Sequence, residues 1–326
     1  MAKGAAVAAV LASVIFVLIL LAFVVYTGRP SSAPEGNGAR LAAPLTVGLS
    51  RDSYRAGYWA PLRVGGRDWS ALVDTGSPYL VVPHSLPCAG AAACRPTGQE
   101  LTLRYGDGTT DSASFELSPF RLGGARFPGV IFGGNEEGGE GSPTADDVIL
   151  GLSSPPPRSG APPPLIAQMN IQLMEFDFTR EASATMVLSP PGAKEGGGAL
   201  LASGALLAPG ALRAAGYPLV ADLYVIALDP ARNAAEGLPP LEFLLLDTGT
   251  TLTLLPPPLA SPPSGFILHL AGGGNIPVRG SDVGALPADL GKERGVGLAI
   301  LGNRSMSGFR LAIDLGARRF SFRARA

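Results

Sequence analysis

The chain has 326 residues, 46% of them hydrophobic, and a net charge of −1 from 25 basic and 26 acidic residues, so it can bury a substantial core but carries no basic face for nucleic acid. Its 44 glycines and 31 prolines, with few charged helix-forming runs, favour short strands and turns over long helices. His84 and His269 lie far apart with no carboxylate pattern around them, and with Cys88 and Cys94 they are too few for a metal site, so no metal or cofactor is expected.

In chain order, the first element is apolar. Ala5–Tyr26 has no charged residue, and Ser13 is its one polar interruption. As an α-helix rising about 1.5 Å per residue, it would cross a bilayer core of about 30 Å. A secretory signal has a shorter apolar region, roughly 7–15 residues, followed by small residues at a cleavage site. Val24-Val25-Tyr26-Thr27 does not resemble such a site. The expectation is a signal-anchor transmembrane helix within residues 1–28, making a single-pass membrane protein; a long cleaved signal peptide is the alternative. Residues 29–44, small and polar with Pro and Gly, read as a linker.

From Leu45 onward, short apolar runs alternate with turn residues. Strands are predicted at Leu62–Val64, Trp69–Val73, Tyr79–Val82, Leu101–Tyr105, Ser114–Leu117 and Val130–Phe132. Glu136, Glu137, Glu140, Asp146 and Asp147 read as a solvated acidic loop, since their spacing fits no calcium-loop template. Ser153–Pro164 holds six prolines and reads as a loop, and Leu165–Met174 as a short helix. Further strands are predicted at Phe176–Phe178, Thr185–Leu188, Leu223–Leu228, Leu241–Leu246, Thr253–Leu255, Gly265–Leu270, Leu298–Leu301, Phe309–Ile313 and Arg319–Phe322. The pattern is all-β, with the glycine-rich connection Gly192–Gly198 as a boundary between a lobe at 45–191 and another at 192–326.

A repeat lies inside this pattern. One copy reads Ala71-Leu72-Val73-Asp74-Thr75-Gly76-Ser77 and runs into Leu80-Val81-Val82-Pro83. The other reads Leu244-Leu245-Leu246-Asp247-Thr248-Gly249-Thr250 and runs into Thr253-Leu254-Leu255-Pro256. Val148-Ile149-Leu150-Gly151 follows the first copy and Ala299-Ile300-Leu301-Gly302 the second. Repeats this far apart suggest two similar units rather than a solenoid.

One Asp-Thr-Gly is a weak signal, because Asp and Gly are common turn residues. Two in the same strand–turn–strand setting are a strong one. An aspartate at the end of an apolar strand is buried, which raises its pKa. Two such carboxylates brought together can share one proton and so present an acid and a base at once. The base can activate a water while the acid protonates the carbonyl under attack, which is peptide hydrolysis without a covalent intermediate. Gly76 and Gly249 would let the turns approach, Ser77 and Thr250 could donate to the outer carboxylate oxygens, and Thr75 and Thr248 could tie the turns together.

These motifs resemble the pepsin family of aspartic proteases, from about Tyr58 to the C-terminus. The resemblance implies a bilobal pepsin-like acid protease fold with Asp74 and Asp247 as catalytic aspartates, supported by Thr75, Gly76, Ser77, Thr248, Gly249 and Thr250. It implies that Ile149-Leu150-Gly151 and Ile300-Leu301-Gly302 cross behind the aspartate loops. A flap carrying Tyr105 and Gly106 would cover the substrate, and Cys88 and Cys94 would close a short disulfide loop. Such a loop needs an oxidising compartment, which would put the body of the chain in the lumen or outside the cell. The chain departs from the family in having Val81 where a flap-supporting tryptophan is common, and Asn303 where Asp often follows the second crossing strand. The implied function is an aspartic-type endopeptidase, a monomer acting on extended peptides. The rival readings are a catalytically inactive, membrane-anchored binding protein that uses the same cleft, and a membrane structural protein.

Overall fold

The computed structural model of the chain describes residues 23–25, 40–51, 57–83, 94–104, 110–135, 148–155, 161–180, 184–209, 211–215, 217, 223–256, 264–286 and 297–324. These residues form four β-sheets, four short α-helices and a 3-10 helix at Gly280–Asp282.

The strand that carries the first aspartate begins in a tight hairpin. Trp59–Val64 pairs antiparallel with Arg67–Asp74, from Trp59 opposite Leu72 to Val64 opposite Arg67. Gly65 and Gly66 turn the chain with φ of 61° and 82°, the left-handed backbone that a two-residue hairpin turn requires. Arg67–Asp74 starts at the surface and ends with Ala71-Leu72-Val73-Asp74 fully buried, so the apolar run drives its terminal aspartate inside. Asp74 then lies parallel to Gly151 at the end of Val148–Gly151, which pairs antiparallel with Leu80–Pro83. The full eight-stranded sheet runs Phe23–Val25, Arg95–Arg104, Thr110–Leu122, Trp59–Val64, Arg67–Asp74, Val148–Gly151, Leu80–Pro83, Ala125–Asn135.

The second copy of the repeat builds the same crossing. Leu241–Leu246 lies parallel to Gly297–Leu301, with Leu246 beside Leu301, and Gly297–Leu301 pairs antiparallel with Thr253–Leu255. With Val225–Ala227 and Val283–Ala285 these make a five-stranded sheet. A third sheet of six strands runs Leu200–Ala205, Arg319–Ala324, Phe309–Asp314, Leu173–Asp177, Thr185–Ser189, Leu45–Gly48. The fourth is the hairpin Gly265–His269 with Asn275–Arg279. One apolar core includes Val73, Leu150, Phe176, Leu246, Leu301 and Ile313.

The all-β reading agrees with these sheets, but the rest of the expected fold is corrected. Of the span expected as a transmembrane helix, Phe23–Val25 forms a strand antiparallel to Thr102–Arg104 instead, while Ala5–Ala22 and Tyr26 lie outside the described residues. Among the described residues no helix is long and apolar enough to cross a membrane. Phe and Val suit a strand as well as a bilayer, and an open sheet edge offers their backbone the partners that a helix would otherwise supply. Nor is the arrangement a bilobal pepsin-like one with a lobe from each half of the chain. The six-stranded sheet joins three strands from each half side by side, and Gly192–Gly198 links two strands of that same sheet, Thr185–Ser189 and Leu200–Ala205. The helix predicted over Leu165–Met174 is confined to Leu165–Gln168, because Leu173–Asp177 pairs in the six-stranded sheet.

Candidate active site

Both aspartates emerge from strand ends into turns that face each other. The two threonines cross-link them. Thr75 N–H donates to Thr248 Oγ1 at 3.1 Å, and Thr248 N–H donates to Thr75 Oγ1 at 3.0 Å. Each hydroxyl donates onward to the other strand: Thr75 to the Leu246 carbonyl at 2.9 Å and Thr248 to the Val73 carbonyl at 2.8 Å. Every partner is buried, so these four bonds fix the separation of the turns in a medium where leaving one unmade is costly.

Behind each turn the crossing strand closes the loop. Leu152 N–H donates to the Asp74 carbonyl at 2.8 Å and Ser153 N–H to the Ser77 carbonyl at 2.8 Å. In the second copy, Asn303 N–H donates to the Thr250 carbonyl at 2.8 Å and Arg304 N–H to the Thr251 carbonyl at 3.1 Å. The crossings are too tight for a side chain. A Cβ on Gly151 would lie 2.3 Å from the Tyr79 carbonyl oxygen, and one on Gly302 2.3 Å from that of Leu252.

The carboxyl groups are held in matching cradles. Asp74 accepts from Gly76 N–H at 2.7 Å and from the Ser77 hydroxyl. Asp247 accepts from Gly249 N–H at 2.9 Å, Thr250 N–H at 3.3 Å and the Thr250 hydroxyl at 2.6 Å. A Cβ on Gly249 would lie 2.5 Å from Asp74 Oδ1, and one on Gly76 3.0 Å from Asp247 Oδ1. Each glycine therefore faces the carboxyl of the other motif, and the pair can meet only because both positions lack a side chain.

Asp74 and Asp247 are both 0% exposed. Burial drives the Asp74 carboxyl well above the usual carboxylate range, and the neighbouring Asp247 charge adds to the rise; Ser77 and Gly76 offset part of it. Burial raises Asp247 as well, but the Thr250 hydroxyl, a hydrogen bond from Asp74 and the N–H groups of Gly249 and Thr250 hold it lower. Both carboxyls are raised by burial and each feels the other, so they titrate as one coupled pair that shares a proton.

Residues 60–154 match the family model for aspartyl protease. That segment holds Asp74-Thr75-Gly76 and the crossing strand that ends at Gly151, while Asp247 and its loop lie beyond it. No curated protein matches the chain. The aspartyl protease match supports an aspartic-type peptidase activity, that of a peptide hydrolase.

Other predicted positions separate from this centre. Tyr105 and Gly106 lie outside the described residues, although the strands of their hairpin, Arg95–Arg104 and Thr110–Leu122, are described and pair antiparallel. Cys88 also lies outside them, so its pairing with Cys94 stays an expectation, and so do His84 and the acidic stretch from Glu136 to Asp147. His269 is buried, with Nδ1 at 2.7 Å from Asn275 Oδ1 and Nε2 at 3.4 Å from Glu236 Oε1. Among the described residues no group of His, Cys, Asp and Glu could hold a metal ion.

Two contributors escaped a functional reading of the sequence. Asn303 is buried, and its Nδ2 donates to the Thr250 and Thr248 carbonyls at 3.0 and 3.3 Å, pinning the second turn from behind. Its position directly after Ile300-Leu301-Gly302 is the signal that could have found it. Trp59 is buried in a cluster with Leu72, Tyr79, Val81, Leu103, Phe115 and Ile149, between the Asp74 strand and the hairpin. It brings an indole into the region where Val81 does not, but only the fold brings the two together.

A cavity of about 240 Å³ lies on the six-stranded sheet, away from the aspartates. Its charged lining is already paired, Arg310 with Asp177 at 2.8 Å and Arg323 with Glu195 at 2.7 Å, so it offers no comparable chemistry.

Proposed function

We propose that the chain is an aspartic-type endopeptidase of the pepsin type, in which one chain supplies both aspartates and hydrolyses extended peptides. The observation that carries this reading is the pair of buried carboxyls, each cradled by its own turn and each facing the glycine of the other.

The ionised carboxyl of the Asp74–Asp247 pair takes a proton from a water held between the two, and the water oxygen attacks the peptide carbonyl carbon. The protonated carboxyl gives its proton to the carbonyl oxygen, which carries the developing charge. The tetrahedral intermediate collapses with cleavage of the C–N bond, and a proton passes to the leaving amine. Ser77 and Thr250 hold the outer oxygens still, so little reorganisation is needed as charge moves. Because both aspartates come from one chain, the centre is complete in a monomer.

The test is a mixed peptide library incubated with the full chain from pH 3 to 7, with and without pepstatin, and read by mass spectrometry. Internal cleavages that pepstatin abolishes are expected. No cleavage at any of these pH values by a folded sample would instead favour a non-catalytic peptide-binding protein.

A further inference from the structure

We propose that the outer edge of the hairpin strand Arg95–Arg104 is a strand-docking site, and that the chain's own segment Phe23–Val25 occupies it as a removable restraint on the hairpin beside Asp74.

On one side, Arg95–Arg104 pairs with Thr110–Leu122, from Arg95 opposite Leu117 to Arg104 opposite Thr110. Its other side would be a sheet edge, a row of unpaired N–H and C=O groups that can template a further strand. Phe23–Val25 lies there antiparallel, with Phe23 opposite Arg104, Val24 opposite Leu103 and Val25 opposite Thr102. The added strand covers Thr102–Arg104, the last three residues of Arg95–Arg104. Phe and Val are favoured in strands, and the contact runs along the backbone, so the site asks for an extended segment of such residues.

The covered stretch is coupled to the aspartates by packing. Leu103 is buried with Leu101, Ala113 and Phe115 against Tyr79, Val81, Leu72 and Ile149. Leu72 and Val81 belong to the strands that lead into and out of the Asp74 turn. The hairpin therefore packs directly on the strands that hold the Asp74 turn, and any movement of it disturbs that packing. A strand fastened to the hairpin edge opposes such movement. Three residues make few ladder bonds, but an occupant on the same chain pays no entropy of association, so it holds the site while remaining displaceable.

The kinetic half of this proposal rests on the peptidase reading; the docking half does not. The experiment compares the full chain with Val24→Pro, which removes an N–H and the strand's regularity, and with Val24→Thr, which keeps both. Amide exchange is followed across Arg95–Arg104, with Phe309–Asp314 as the internal control for folding. In Val24→Pro the amides of Thr102–Arg104 are expected to exchange about tenfold faster, with peptide hydrolysis up severalfold; Val24→Thr is expected to match the parent in both. Unchanged exchange at Thr102–Arg104 in Val24→Pro overturns the docking site. Faster exchange with unchanged hydrolysis overturns the restraint. If the parent chain cleaves nothing, the peptidase reading has failed, and the exchange data alone decide whether Phe23–Val25 holds the edge.

Discussion

Asp74 and Asp247 are buried at strand ends and receive their hydrogen bonds from hydroxyls and backbone N–H groups. The stability of the chain should therefore depend on pH in a definite direction. With folded pKa values raised above the ordinary one, the folded state keeps a proton that the unfolded state has released. The contribution is complete below the ordinary carboxylate pKa of about 4 and is lost as pH rises through the folded values. Asp74→Asn supplies a neutral group of the same shape and removes most of that dependence. Thermal unfolding at pH 4 and pH 7 checks this: the variant is expected to gain on the parent at pH 7 relative to pH 4. An equal difference at both pH values would contradict the assignment of the raised pKa to Asp74. The carboxyls could be found in the sequence because each follows an apolar run and precedes a Thr-Gly turn. The place of Asn303 directly after Ile300-Leu301-Gly302 marked it out, but its two carbonyl partners, Thr248 and Thr250, are 55 and 53 residues away and only the fold brings them to it.

At the scale of the element, the parallel crossing of Val148–Gly151 behind Arg67–Asp74 sets the loop geometry. A methyl group at Gly151 would press on both the carbonyl oxygen and the nitrogen of Tyr79, at 2.3 and 2.5 Å. These are backbone atoms that cannot swing aside, so Gly151→Ala should cost about 3 kcal/mol or more and abolish hydrolysis. Urea unfolding of the variant measures the cost; a loss under about 1 kcal/mol would mean that the crossing is looser than described. Local pattern recovered most strands near the motifs but understated the hairpin. Its strands span Arg95–Arg104 and Thr110–Leu122, because polar residues such as Gln99, Glu116 and Ser118 are accepted along its length. Asn275–Arg279 and Leu200–Ala205 went unread, since Pro277 demotes the first pattern and small residues with a glycine weaken the second. At Phe23–Val25 a strand stands where a helix was expected, for the opposite reason. An apolar run has the same composition whether it fills a bilayer or adds to a sheet edge, and only the free edge at Thr102–Arg104 distinguishes them.

Across the whole molecule, the six-stranded sheet joins strands that are distant in sequence. Leu173–Asp177 pairs with Phe309–Asp314 over its full length, and Thr185–Ser189 pairs with Leu45–Gly48. The Tyr224 hydroxyl donates to the Leu152 carbonyl at 2.6 Å, a further buried tie between the halves. The repeated motif pointed to two independent units because it reports only the loops; which strands share a sheet is a non-local property that no short window contains. With the core continuous, the described body should unfold in one cooperative step. Coincident urea transitions by tryptophan fluorescence and far-ultraviolet circular dichroism are expected, whereas two separated transitions would show that the halves are stable alone.

The central claim is that Asp74 and Asp247 act as one acid–base pair. Its most direct test is the rate of hydrolysis of a single peptide by the full chain, by Asp74→Asn and by Asp247→Asn, each first shown to be folded. Acting as a unit, the pair predicts that either substitution alone lowers kcat by about 10³-fold or more, with little change in KM. Retention of near-parent activity by either variant would show that hydrolysis does not run through the pair and would overturn the account.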